Sequence, residues 1–209
     1  MPALEERTIT VEKNGIYEVT PNEGYNGIVK LSVNVNVQEG VVPIDKITIT
    51  SPIGEFATIR GYGYKFYVKF KLNDVTTNNK VIYCGDYTDE FGVGLSNSQN
   101  RFFVAYNGGA VFYYPNNLLD WIECTEDTSG NITFNNQTNQ FNSSYIYCPL
   151  YLGGKANLEC NFDLAEFILY YNNTETIHLK PYRFSIGTIV YECLLDTMSG
   201  KTLYMKKIS

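Results

Sequence analysis

The side chains in this chain that are equipped to do chemistry are few and scattered. The only histidine, His178, stands between Ile177 and Leu179 in a strand-like stretch ahead of Pro181. Acyl transfer needs a histidine positioned by a carboxylate and facing a nucleophile. No Gly-x-Ser-x-Gly elbow accompanies His178, and a lone histidine cannot build a cluster of imidazole metal ligands. His178 is read as structural. Glycoside hydrolysis with retention needs two carboxylates about 5–5.5 Å apart, which a strand supplies from positions two or four apart. Asp86, Asp89 and Glu90 lie between Gly85 and Gly92 and read as a loop without that spacing. Asp120 and Glu123 flank Trp121-Ile122 and would point to opposite faces of a strand. The sequence nominates no catalytic residue, no metal ligand and no cofactor site, and no enzymatic activity is expected. The Asp86–Glu90 run carries hard oxygen ligands of the kind Ca²⁺ takes, but without EF-hand order it reads as a solvated acidic turn.

Aromatic side chains next to planar polar groups are the other chemically suggestive feature. Tyr113-Tyr114-Pro115-Asn116-Asn117 and Trp121 offer the stacking surfaces a glycan site uses, as does Tyr170-Tyr171-Asn172-Asn173. Tyr113, Tyr114 and Trp121 are the candidate glycan contacts. With 18 tyrosines in the chain, packing is the default role for any one of them. Cys84, Cys124, Cys148, Cys160 and Cys193 are well separated and form no Cys-x-x-Cys pair, which speaks against zinc and dithiol chemistry. Buried free thiols are expected, and sequence leaves a disulfide open. The Asn135 to Asn142 stretch, with its Asn-x-Ser/Thr sequons, reads as a long polar loop.

The net charge of −6 removes the basic face on which a nucleic-acid binder relies, and it disfavours an anionic membrane surface equally. No apolar run reaches the roughly 18 residues of a membrane-spanning helix. Glu5-Glu6-Arg7 falls where the apolar core of a secretory signal would lie, so assembly in a cytoplasm is expected.

Elements that would position these residues are almost all strands. Tyr, Phe, Val, Ile and Thr suit pleated, half-buried surfaces, and no long window has helical period. Candidate strands run over Ile47 to Thr50, Tyr64 to Leu72, Lys80 to Cys84, Gly92 to Leu95, Arg101 to Tyr106 and Ala110 to Tyr114. They continue over Trp121 to Cys124, Ile132 to Phe134, Cys148 to Leu152, Phe162 to Tyr171, Thr188 to Leu195 and Thr202 to Met205. Asp163-Leu164-Ala165-Glu166-Phe167 also admits a single helical turn. The expected fold is all-β, with two packed antiparallel sheets.

The first forty residues stand apart. Asn14-Gly15 between strand formers signals a hairpin, because both central positions of a type I′ turn need positive φ. After the Pro21-Asn22-Glu23-Gly24 turn, Val29, Leu31, Val33, Val35 and Val37 alternate with polar residues and share one face. Three short strands cannot bury such a face alone. Residues 1–40 therefore read as a β attachment or oligomerisation module, residues 41–209 as the main domain, with the boundary at Gln38-Glu39-Gly40-Val41-Val42-Pro43.

The run Asn14-Gly15-x-Tyr17, Pro21-x-x-Gly24-Tyr25-x-Gly27, Val33-x-Val35-x-Val37 resembles a small β module of tailed-bacteriophage virion proteins, with Asn26 where Asp is usual. The tail resembles the concanavalin A-like (laminin-G-like) jelly rolls of phage and bacterial surface proteins. The matching residues are Tyr151-Leu152-Gly153-Gly154, Phe162 to Tyr170, Leu179-Lys180-Pro181 and Tyr191 to Tyr204, with Asp196-Thr197-x-Ser199-Gly200-Lys201 inside the last. Cys193-Leu194-Leu195-Asp196 replaces the usual Gly-Leu-Tyr-Asp. These resemblances imply a structural virion component, a fibre or decoration on head or tail, anchored through Tyr25, Val29, Leu31, Val33, Val35 and Val37. They imply capsid or tail proteins as partners and a homo-oligomer, a trimer, as the assembled form. The alternative they allow is an adhesin whose jelly roll recognises a host-surface glycan.

Overall fold

The computed structural model describes residues 40–61, 64–76, 80–84, 92–96, 99–106, 109–126, 131–140, 146–153 and 160–209. The chain divides into two units, Met1–Val41 and Val42–Ser209. Tyr25, Val29, Leu31, Val33, Val35, Val37 and the acidic run from Asp86 to Glu90 lie outside the described residues.

Described elements of the second unit are strands: β1 (Val42–Pro43), β2 (Ile47–Ile49), β3 (Glu55–Gly61), β4 (Tyr64–Leu72), β5 (Lys80–Cys84), β6 (Gly92–Ser96), β7 (Arg101–Tyr106), β8 (Gly109–Tyr113), β9 (Ile122–Glu126), β10 (Asn131–Phe134), β11 (Gln137–Gln140), β12 (Ile146–Leu152), β13 (Phe162–Tyr171), β14 (Thr174–Ile186), β15 (Ile189–Asp196) and β16 (Lys201–Lys207). They form two antiparallel sheets. The larger has the order β11-β10-β9-β4-β13-β14-β15-β16, with β1 beside β14 and β2 beside β13; the smaller has the order β3-β12-β5-β6-β7-β8.

Strand β4 shows why these residues form this sheet. Phe66, Val68, Phe70 and Leu72 are buried while the residues between them are half-exposed, the period-two signature of a strand with one wet face. Each such burial stabilises the fold by roughly 1.5–3 kcal/mol. Facing them across the core are side chains of the smaller sheet. Phe70 meets Phe102 edge-on at 5.6 Å, and Phe56 meets Phe167 at 5.5 Å with rings nearly perpendicular. Gly153 closes β12 at φ +78°, where an added Cβ would lie 2.8 Å from Cys160 Sγ.

Asp163 to Phe167 is strand, within the expected Phe162–Tyr171 element and not the helical turn also admitted there, while two other expectations are corrected. Opposite β4 the register passes from Leu164↔Phe70 to Glu166↔Lys69, so Ala165 is the extra residue of a bulge that breaks the alternation. The Asn135 to Asn142 stretch is not simply a polar loop. Asn135, at φ +48°, turns β10 into β11, and Thr133 and Thr138 share a hydroxyl contact at 3.0 Å across the pair. Asp120 lies in the turn before β9, held by Asn117 Nδ2 at 2.9 Å, rather than within a strand.

Candidate functional site

Strands β13 and β14 part company halfway along the larger sheet. They pair from Tyr171↔Thr174 to Phe167↔Leu179. Beyond that, β1 takes the vacated edge of β14 (Pro43↔Tyr182, Val42↔Arg183), while β2 takes that of β13 (Ile47↔Leu164 to Ile49↔Phe162). Pro181 stands at the fork, where its carbonyl accepts the Ile44 amide at 3.1 Å. In a strand, a residue's nitrogen and carbonyl point to the same side, so the donor that proline lacks is missing from the fork and not from the β15 ladder.

The fork opens a cleft of about 590 Å³ on the outer face of the sheet. Trp121 and Ile44 give it apolar surface, and Asp45, Lys69, Glu166 and Lys180 bring charge. The β13 bulge sets Glu166 level with Lys69, and the Glu166 carboxylate has two further neighbours on β14. Its Oε1 lies 2.6 Å from His178 Nε2 and 3.3 Å from Lys180 Nζ. Burial opposes ionisation of Glu166, but the His178 and Lys180 hydrogen bonds and the Lys180 charge outweigh it and hold the carboxyl below its ordinary value. On its other side the imidazole faces Glu175, with Nδ1 3.2 Å from Oε2. Lys69 Nζ binds Glu123 Oε1 at 2.7 Å. The adjacent Tyr67 phenol is pushed up to about 12 by burial and by the Glu123 and Glu166 charges.

The three candidate aromatic contacts do not form one platform. Trp121 lines the cleft. Tyr113 stacks on Phe134, with centroids 5.4 Å apart and rings 6° from parallel, and its hydroxyl is 3.5 Å from Asn135 Nδ2. Tyr114 is exposed and accepts Arg101 Nη1 at 2.8 Å, while the same guanidinium lies 3.4 Å from the Phe112 ring centroid. Tyr171 packs on Tyr64 at 4.9 Å, and Asn172 and Asn173 form the β13–β14 turn. Lys69, Glu166 and Lys180 escaped sequence reasoning because three different strands supply them. The available signal was Pro181 interrupting an alternating run.

Cys124, Cys160 and Cys193 are free and buried. Burial pushes the Cys160 thiol up to about 11 and Cys124 well above its ordinary value, which keeps both as poorly nucleophilic thiols. Among the described residues no three His, Cys, Asp or Glu side chains are grouped so as to hold a metal ion. No protein-family model matches the chain, and no curated protein does.

Proposed function

We propose that this protein is a non-enzymatic structural component of a tailed-bacteriophage virion, displayed as a fibre or decoration on head or tail and anchored by its leading β module. The observation that carries this reading is the division of the chain at Val41/Val42. Behind that point, buried residues from Ile47 to Leu194 build a core out of the unit's own two sheets. Ahead of it lies the Val29-to-Val37 alternation, an apolar face of the kind that symmetric copies or a partner's strand would cover. Capsid or tail proteins are the partners this implies, a homotrimer the assembled form, and the virion its location.

The second unit is read as a concanavalin A-like jelly roll. Its all-antiparallel pairing supports this, and so does the behaviour of the Asp196-to-Lys201 run that carries the resemblance. Asp196 Oδ1 accepts the amides of His178 at 3.0 Å and Met198 at 3.1 Å, and Oδ2 accepts the Ser199 hydroxyl. Gly200 follows at φ +72°. In this reading the run is kept as the turn that joins β15 to β16, with aspartate as its acceptor and glycine at its left-handed position.

A double substitution, Val33→Asp with Val35→Asp, tests the anchor by placing unpaired charge on the face to be covered. Incorporation into particles should be lost while the sandwich melts as in the parent. Normal incorporation would refute the anchor.

A further inference from the structure

We infer that the outer face of the smaller sheet, at β7 and β8, docks an acidic segment of a protein partner, with the Arg101 guanidinium as its anchor. The surface belongs to the second unit alone, and the inference does not rest on a virion role.

Strand alternation places the residues. Phe102, Val104 and Val111 are buried in the core, so Arg101, Phe103 and Phe112 take the opposite face. The Arg101 guanidinium carbon lies 3.4 Å from the Phe112 ring centroid, which puts the cation over the ring. Its Nη1 donates to the Tyr114 hydroxyl at 2.8 Å, and Tyr114 is 60% exposed. One ring under the guanidinium and one phenol at its edge hold the planar fork in place before a partner arrives.

The charge of that fork is what the fold leaves uncompensated. Acidic residues outnumber lysine and arginine in the chain by 22 to 16. Lys65, Lys69 and Arg183 each have a carboxylate, at 3.1, 2.7 and 2.8 Å. Among the described residues Arg101 has none, and its Nε is buried without an acceptor. A half-buried charge without a counter-charge is costly. A partner's carboxylate offsets that cost by accepting charge-assisted hydrogen bonds from the terminal nitrogens.

The surroundings choose the occupant. A single guanidinium matches one planar carboxylate, whereas a nucleic-acid backbone needs a basic face that a chain of net charge −6 does not offer. Arginine, tyrosine and phenylalanine gathered on one face, with the tyrosine exposed, have the composition of a protein-interface hot spot. Apolar residues beside the partner's carboxylate would cover Phe103 and Phe112 and shield the ion pair from water.

Proton–nitrogen NMR spectra of the full chain test this. The probes are the blocked peptide acetyl-Gly-Leu-Glu-Leu-Gly-amide, its glutamine counterpart and inorganic phosphate, each to about 10 mM. The Arg101 Nε–H and Phe112 amide signals should shift saturably with the glutamate peptide and not with the other two. Arg101→Lys keeps the charge but loses the fork and the stack. In that variant the Phe112 amide should report binding about tenfold weaker or absent. Tyr114→Phe, which removes only the phenol oxygen, should weaken binding as well and serves if Arg101→Lys fails to fold. Silence with the glutamate peptide, an equal response to the glutamine peptide, a larger response to phosphate, or unchanged affinity in Arg101→Lys would each overturn the assignment. So would self-association of the full chain that disappears in Arg101→Lys, because the occupant would then be a second copy. Incorporation of the Val33 and Val35 variant is read separately, so the two readings fail independently.

Discussion

Asp163, near the start of β13, has a side chain only 2% exposed, yet three donors reach it. Thr48 Oγ1 and Asn73 Nδ2 donate to Oδ1 at 2.7 and 2.9 Å, and the Lys46 ammonium pairs with Oδ2. Burial alone would raise this carboxyl, but the Lys46, Asn73 and Thr48 hydrogen bonds and the Lys46 charge lower it below its ordinary 3.8. The folded state therefore holds the proton less tightly than the unfolded chain does. Stability from this group is fully present above the unfolded value and is lost as pH falls through the depressed folded one. Asp196, Glu166 and Glu192 are lowered as well and add to the same acid limb. Asp163→Asn should cost about 1–3 kcal/mol at neutral pH, because the Lys46 ammonium loses its counter-charge and two donors lose an ionised acceptor. Urea midpoints measured from pH 7 down to about 3 should fall less steeply in the variant than in the parent. Parallel limbs would mean that Asp163 does not titrate as described.

At the scale of elements, the β13–β14 hairpin turns through Asn172 at φ +49° and Asn173 at φ +64°, the pair of left-handed residues a type I′ turn needs. Asparagine tolerates that region and alanine does not. Asn172→Ala should cost about 1–2 kcal/mol, whereas Asn173→Gly should be neutral or slightly stabilising. Denaturant midpoints of both variants decide this, and equal losses would remove the turn from the account. In sequence, Asn172 and Asn173 read as polar groups beside aromatic platforms, because composition alone cannot separate a turn from a binding surface. Strand β4 was legible to the residue, since its two faces differ sharply in polarity and it pairs on both sides. By contrast, β11 was invisible. Gln137 and Thr138 are exposed and Asn139 is half-buried, and a polar edge strand has no apolar face to leave a period. Strand β3 went unread for a related reason, as Phe56 and Ala57 sit side by side, both half-buried, at the rim of the smaller sheet. The full length of β14 was hidden by Pro181, which reads as a stop; only the fork places that proline where no amide is needed. The cleft inherits the same obscurity. Its side chains are remote in sequence and converge only because a bulge and a proline pull two strands apart.

At the scale of the whole molecule, the question is whether Val42–Ser209 is complete without what precedes it. Its largest buried side chains, Phe70, Phe102, Phe134, Phe162 and Phe167, come from both sheets and belong to one cluster with Ile47, Ile49 and Leu72. Strand β1 begins at Val42, so a chain started there keeps the Pro43↔Tyr182 pair and the Ile44-to-Pro181 hydrogen bond that hold the fork. At the C-terminal end Val190 donates to the Ser209 carbonyl and Ile208 donates to the Val190 carbonyl, both at 2.9 Å, so the last residues are tied down too. Lysines at 201, 206 and 207 stud the edge strand β16, a device that discourages further strand pairing. The excised unit should therefore unfold in one cooperative transition, with stability within about 0.5 kcal/mol of the same transition in the full chain. If the proposed anchor holds, the excised unit should also sediment as a monomer at concentrations where the full chain self-associates. Calorimetry and analytical ultracentrifugation on the two chains read both quantities. A non-cooperative melt of the excised unit would mean that the sandwich leans on residues 1–41 for its core. Self-association that survives the excision would move the oligomer contact onto the sandwich and leave residues 1–40 without their proposed role.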